Sequence, residues 1–207
     1  MALVKYNNNS IANITTPGQL TQGKMTLISE QTASGSASIS FTSGIDSTYP
    51  IYRFEFISIH PSTNDQKLQF NMSADAGSNY NITKTTTVFR SYHNENDGEA
   101  GIGYSAGDDL AQSTAFQNLT QGIGNPNNDE NASGSMILFN PSSTTFVKHF
   151  IANTNAVRDL LPTTQASYQW FTAGYGNTAS SINAVQFKMA SGNIDSGTIK
   201  LYGIKGD

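Results

Sequence analysis

Tyr52-Arg53-Phe54-Glu55-Phe56-Ile57-Ser58-Ile59 is the run on which the fold turns. Its first five residues alternate apolar with charged. A strand reproduces that period of two by sending successive side chains to opposite faces, so one face is buried and the other wet. After Phe56 the apolar residues Ile57 and Ile59 fall on the opposite parity, as they would after a β-bulge near Phe56, since one extra residue exchanges the two faces. His60-Pro61-Ser62-Thr63-Asn64-Asp65 then closes the strand with turn chemistry.

The same grammar extends in both directions. Upstream, Met25 and Leu27, with Ile28, form one strand, Thr32 to Ser36 a turn, and Ser38-Ile39-Ser40-Phe41 a second strand. Downstream, Leu68, Phe70 and Met72 line the next strand, and the Gly/Asn-rich stretch from Asp75 to Asn81 is a loop. Thr85 to Tyr92 carries bulky residues on both parities, which suggests burial on two sides. Asn94 to Gly107 has four glycines and little to bury, and reads as a long surface loop. Asp108-Asp109 followed by Leu110, Phe116, Leu119 and Ile123 has the acidic start and the three-and-four spacing of a short helix. Gly124 to Gly134 is a polar loop. Met136-Ile137-Leu138-Phe139 is a continuous apolar run, the mark of a central strand covered on both faces. Thr145 to Ile151, Tyr168 to Ala173 around the single tryptophan, Val185-Phe187-Met189, and finally Ile199, Leu201 and Ile204 complete the set.

Eight to ten strands are expected, joined by loops too short and too glycine-rich to hold crossover helices, so the sheets are antiparallel. Strands this numerous pack as two layers. The expected fold is therefore all-β: an antiparallel two-sheet sandwich, jelly-roll-like, with at most one short helix. Residues 1–23 are polar, lack sustained alternation and end in Pro17-Gly18 and Gly23; they read as an extended N-terminal arm, leaving 24–207 as one domain. Leu3, Val4, Tyr6, Ile11 and Ile14 are the apolar residues with which such an arm would hold a neighbour.

Composition agrees. Charged residues are 13% of the 207, about half the usual share, and Ser, Thr, Asn and Gly stand in their place. These residues weaken helices and suit strands and turns. The formal charge of -4, with no basic run, offers phosphates no attracting field, so nucleic acid is not an expected partner. Low charge also reduces self-repulsion and favours close assembly. There is no cysteine and no apolar stretch long enough to insert in a membrane, and the start lacks the pattern of a secretory signal; the expectation is a chain made in a cytoplasm.

The search for chemistry yields little. His60, His93 and His149 form no pair with metal-ligand spacing, and Glu95, Asp97 and Glu99 alternate without the spacing of a calcium loop. Gly-x-Ser-x-Gly is absent, and Gly101-x-Gly103 lacks the third glycine of a dinucleotide motif. No enzyme and no cofactor is expected. Tyr80, Tyr92, Tyr104 and Tyr175 lie near loops or strand ends, where tyrosines either cap the core or meet partner proteins or sugars, and are the candidate contact residues of the body.

A resemblance adds to this reading. The segment Ala184 to Ile204, with its Gly192-Asn193 turn and closing Leu201-Tyr202-Gly203-Ile204, resembles the final hairpin of small β-sandwich virion proteins of tailed bacteriophages. Leu68-Gln69-Phe70-Asn71 leading to Gly77-Ser78-Asn79-Tyr80, and Leu138-Phe139-Asn140-Pro141-Ser142-Ser143, are similar too. The opening Met1-Ala2-Leu3-Val4-Lys5-Tyr6-Asn7-Asn8-Asn9-Ser10 resembles the start of structural proteins from marine phages, cyanophages especially. The resemblance implies a capsid decoration (cement) protein or a tail-attached protein on the virion surface, and supplies no catalytic residue. Its expected partners are copies of itself, with a trimer as one candidate state, and the major capsid protein or tail proteins. On the tail-attached alternative, host surface glycans join them.

Overall fold

The computed structural model describes residues 25–125, 129–161 and 164–205. The arm, residues 1–23, with Leu3, Val4, Tyr6, Ile11 and Ile14, lies outside the described residues. Twelve strands follow in order: β1 (Met25–Thr32), β2 (Ile39–Phe41), β3 (Ile51–Pro61), β4 (Leu68–Ser73), β5 (Lys84–Asn94), β6 (Ala100–Tyr104), β7 (Gln117–Asn118), β8 (Ala132–Phe139), β9 (Lys148–Leu161), β10 (Thr164–Gly176), β11 (Ala184–Met189) and β12 (Ile194–Ile204). They form two antiparallel sheets, a large one in the order β1-β12-β3-β8-β9-β10-β5-β6 and a small one in the order β2-β11-β4-β7. The sheets pack as a β-sandwich, and no helix occurs among the described residues.

The core follows from the alternation. Tyr52, Phe54 and Phe56 of β3, Met136 and Leu138 of β8, Phe150 of β9 and Leu201 of β12 point inward from the large sheet. They meet Phe41, Phe70, Met72 and Phe187 of the small one. Phe187 is the hub, with ring centroids of Phe54 and Phe56 at 5.2 Å and those of Phe41 and Phe70 at 6.3 and 6.4 Å. Edge-to-face geometry of this kind adds to simple burial.

The bulge stands where the phase slip puts it. Phe56 pairs with Gly134 and Ile59 with Ala132, so three steps along β3 match two along β8. The pairing with β12 slips likewise, from Ile57–Thr198 to His60–Ser196. Ser58 takes a left-handed φ of 50°. Phe56 and Ile59 are thereby both buried while Ile57 and Ser58 face solvent.

Twelve strands exceed the eight to ten expected, and the readings of five segments are corrected. Asp108 to Ile123 contains no helix: Ser113, Leu119 and Ile123 donate their N–H groups to the carbonyls of Lys84, Leu68 and Gln66. Those tertiary bonds, together with β7, replace helical ones, and the segment covers the inner face of the wide half of the large sheet, with Leu119 and Ile123 fully buried. Asn94 to Gly107 is not all loop, since Ala100 to Tyr104 pairs with β5 as β6. Thr85 to Tyr92 and Met136 to Phe139 are each buried on one face only. Phe89 is exposed and Ile137 and Phe139 half-buried, because only the inner face of the large sheet is covered. Finally, β9 starts at Lys148 rather than near Thr145, and Phe146 before it is exposed.

Candidate interaction face

The two outer faces of the sandwich differ. On the small sheet, polar pairs answer one another across the strands: Gln69 with Asn118 at 2.7 Å, Gln186 with Ser40 at 2.9 Å, and Lys188 over the Phe116 ring at 4.5 Å. On the large sheet the outer face carries apolar side chains in the open. Register puts Tyr104, Phe89 and Phe171 in one transverse row, and Ile151, Ile137, Arg53, Tyr202 and Leu27 in another. Phe89 stacks on Phe171 at 4.6 Å yet stays 45% exposed; Met25, Leu27, Ile57, Ile102, Tyr104 and Ile151 on this face are also exposed. Exposed apolar groups gathered on one face make it the candidate interaction surface.

Depressions shape that face, two of them lined by described residues. One, of about 440 Å³, lies over Gly174 between Tyr175, His149, Ile151, Thr85 and Thr87. The other, of about 380 Å³, is a polar trough floored by Ser133, Gly134 and Ser135, the small residues opposite the bulge. Arg53, Glu55 and Ile57 wall one side, and Asn153, Asn155 and Gln169 the other. Arg53 Nε donates to Glu55 Oε1 at 3.1 Å, and Gln169 to Asn153, so the trough is lined by amides, hydroxyls and an internally neutralised ion pair. Such a lining suits a neutral, hydroxyl-bearing ligand better than an ion.

A third depression, of about 300 Å³, holds Ser58, His60, Glu130, Asn131, Asp195 and Ser196. His60 belongs to the buried end of β3 rather than to a turn. Its Nδ1 is 3.6 Å from Asp195 Oδ2, while its Nε2 is buried and makes no hydrogen bond to any described residue. A nucleophile–histidine–carboxylate relay requires a hydroxyl in hydrogen-bond reach of that nitrogen, and neither serine supplies one here. Two acids of the 94–99 turn are engaged singly: Asp97 with His93 Nε2 at 3.0 Å, Glu99 with the Tyr92 hydroxyl at 3.1 Å. No metal-competent group of three or more His, Asp or Glu forms among the described residues.

The four candidate tyrosines separate. Tyr104, 57% exposed, stands on the outer face at the β6 edge, its hydroxyl donating to Asp109, a bond that raises its pKa along with a little burial. Tyr175 shares that face, 6.0 Å from the His149 ring. Tyr92 lies on the opposite face of the same sheet, stacked on Tyr168 at 5.2 Å. Tyr80 packs beneath its own loop: a Cβ at Gly77 would come within 2.7 Å of its hydroxyl. Phe89, Phe171, Ile102 and Ile151 join the candidate face without having been singled out from sequence. For Phe89 a signal was present, since it shares its parity with Thr85, Thr87 and Ser91, a polar set that belongs to solvent. Compared with family models, curated proteins and solved structures, the chain finds no match.

Proposed function

We propose that this chain is a non-enzymatic structural protein of a tailed-phage virion, a capsid cement or decoration protein built on a jelly roll. The observation that carries the reading is the strand order. β1, β12, β3 and β8 adjoin in one sheet and β2, β11, β4 and β7 in the other. In chain order these eight alternate between the sheets except at β4 and β7, which share the small one, and the last two return beside the first two, the interleaving expected of two Greek keys. The β5–β6 pair and the β9–β10 hairpin then extend the first sheet alone. That extension makes the outer face broad, and a broad face with exposed apolar residues serves a protein that lies flat against others. Jelly rolls recur in viral capsid domains, and the low charge and the resemblance to phage virion proteins point the same way.

On this reading the 24–207 body packs in an oligomer on the particle surface, and residues 1–23 help to fasten it to the major capsid protein. Cryo-EM localisation with copy number on purified particles tests it: hundreds of copies on the head are expected, and absence from particles refutes it. Deleting residues 1–23 should release the protein from particles and leave the body folded.

The polar trough favours a second reading, a tail-attached protein that binds host surface glycans. Saturable glycan binding weakened by Asn155→Ala, with few copies located on the tail, would establish it. Absence of saturable binding would remove it.

A further inference from the structure

Among the described residues the sandwich has four sheet edges, and three are protected. β2 and β7 are three and two residues long. β1 has a register shift between Leu27 and Ser29, and its Glu30 is paired with Lys200 at 3.0 Å. Short strands, irregularities and charges are the usual means of closing an edge to other chains. β6, Ala100-Gly101-Ile102-Gly103-Tyr104, has none of these: no charge, no proline, and an unbroken register with β5.

Its hydrogen bonding identifies the open groups. Asn94 N–H donates to Glu99 C=O, and Ser105 N–H to Val88 C=O, on either side of the pairs Gly101–Tyr92 and Gly103–Arg90. Antiparallel ladders alternate, so Gly101 and Gly103 bond to β5 while Ala100, Ile102 and Tyr104 turn N–H and C=O outward. The side chains alternate too. Ala100, Ile102 and Tyr104 lie on the outer face, Ile102 at 79% being the most exposed large apolar residue described. The inner positions are glycines. Gly101 admits the Tyr92 ring, whose Cε1 would be 2.9 Å from an added Cβ. Gly103 has nothing within 4 Å of that position, so packing within the monomer gives no reason for it to be glycine.

We propose that β6 pairs antiparallel with β6 of a second copy about a two-fold axis through Ile102, joining two large sheets into one. In that register Ile102 meets Ile102 of the second copy, and the bulky Tyr104 lies opposite the small Ala100 in both directions. Each of these is a hydrogen-bonded pair that uses the outward N–H and C=O groups. The glycines face glycines, so no side chain obstructs the inner face. The strand is self-complementary in backbone and in side-chain size, as an isologous interface requires. It carries no charge to repel its copy. This deepens the self-association in the proposed function, but it is a property of the purified chain and stands or falls without a particle.

The test is the full chain with Ile102→Pro and Ile102→Lys variants. Proline at 102 removes an outward N–H that β5 does not use, so the monomer keeps its fold. Sedimentation of the wild type should show a dimer, and both variants should raise its dissociation constant roughly tenfold or more, with unchanged circular dichroism and, at concentrations where all are monomers, unchanged thermal melting. Amide exchange should slow on dimerisation at Ala100, Ile102 and Tyr104, with Gly101 and Gly103 protected at every concentration. A wild type monomeric at high concentration, association unaffected by Ile102→Pro, or a variant-sensitive trimer or open polymer would each overturn the two-fold pairing. Failure here would leave localisation on particles to be judged separately.

Discussion

Replacing Lys84 by methionine should change how stability depends on pH. Lys84 begins β5 with its side chain fully buried, Nζ donating to Asn71 Oδ1 at 2.6 Å and to Ile82 C=O at 2.8 Å, and with no carboxylate beside it among the described residues. Burial pulls its ammonium down from 10.5 to about 7. Below pH 7 the group is protonated folded and unfolded, and the cost of burying the charge is present in full. Between about 7 and 10.5 the folded protein has released a proton that the unfolded chain still holds, so stability rises with pH. Integrating one such proton from pH 7 to pH 9 gives about 2 kcal/mol. Lys148 is lowered by burial and acts in the same direction, while Tyr52, raised first by burial, acts oppositely at higher pH. Both are common to wild type and variant and cancel in the comparison. Urea unfolding followed by the buried Trp170 should show wild type gaining about 2 kcal/mol relative to Lys84→Met across that interval. Parallel pH profiles would refute the reasoning.

Three further outcomes are expected. Phe187→Ala empties the hub between the sheets and should cost about 3–5 kcal/mol in urea unfolding; a loss under about 1 kcal/mol would mean the rings repack around the gap. Gly197→Ala places a Cβ 2.6 Å from Ser58 C=O at a φ of 113°, so the melting temperature should fall by several degrees, for a cost of about 1–3 kcal/mol. Burial alone would raise the Asp108 carboxyl, but bonds from Lys67 at 2.5 Å, Ser105 at 2.8 Å and Asn118 at 2.7 Å outweigh it and hold it below 3.8. Its contribution is therefore present above that value and lost below it, so the stability gap between wild type and Asp108→Asn should narrow as pH falls from 5 towards about 2.

What could be read from the sequence alone was whatever depends on a residue and its near neighbours. Alternation in Tyr52 to Phe56 and in Val185 to Met189 marked strands and their buried parity, and the slip after Phe56 marked the bulge, because the strand period is two wherever one face is buried. Poverty in charge and helix formers marked an all-β sandwich. Tertiary structure decided what depends on distant partners. Leu119 and Ile123 have helical spacing, yet their backbone groups bond to Gln66 and Leu68, some 50 residues away. Glycine-rich Ala100 to Tyr104 looks like a loop until β5 offers it a ladder. The candidate face shows the same division: in sequence Phe171 and Ile151 are ordinary strand residues and Ile102 lies in an apparent loop. They become a surface because two hairpins widen one sheet beyond the layer that covers its other side, and which face stays open is set by packing, not by the side chains themselves.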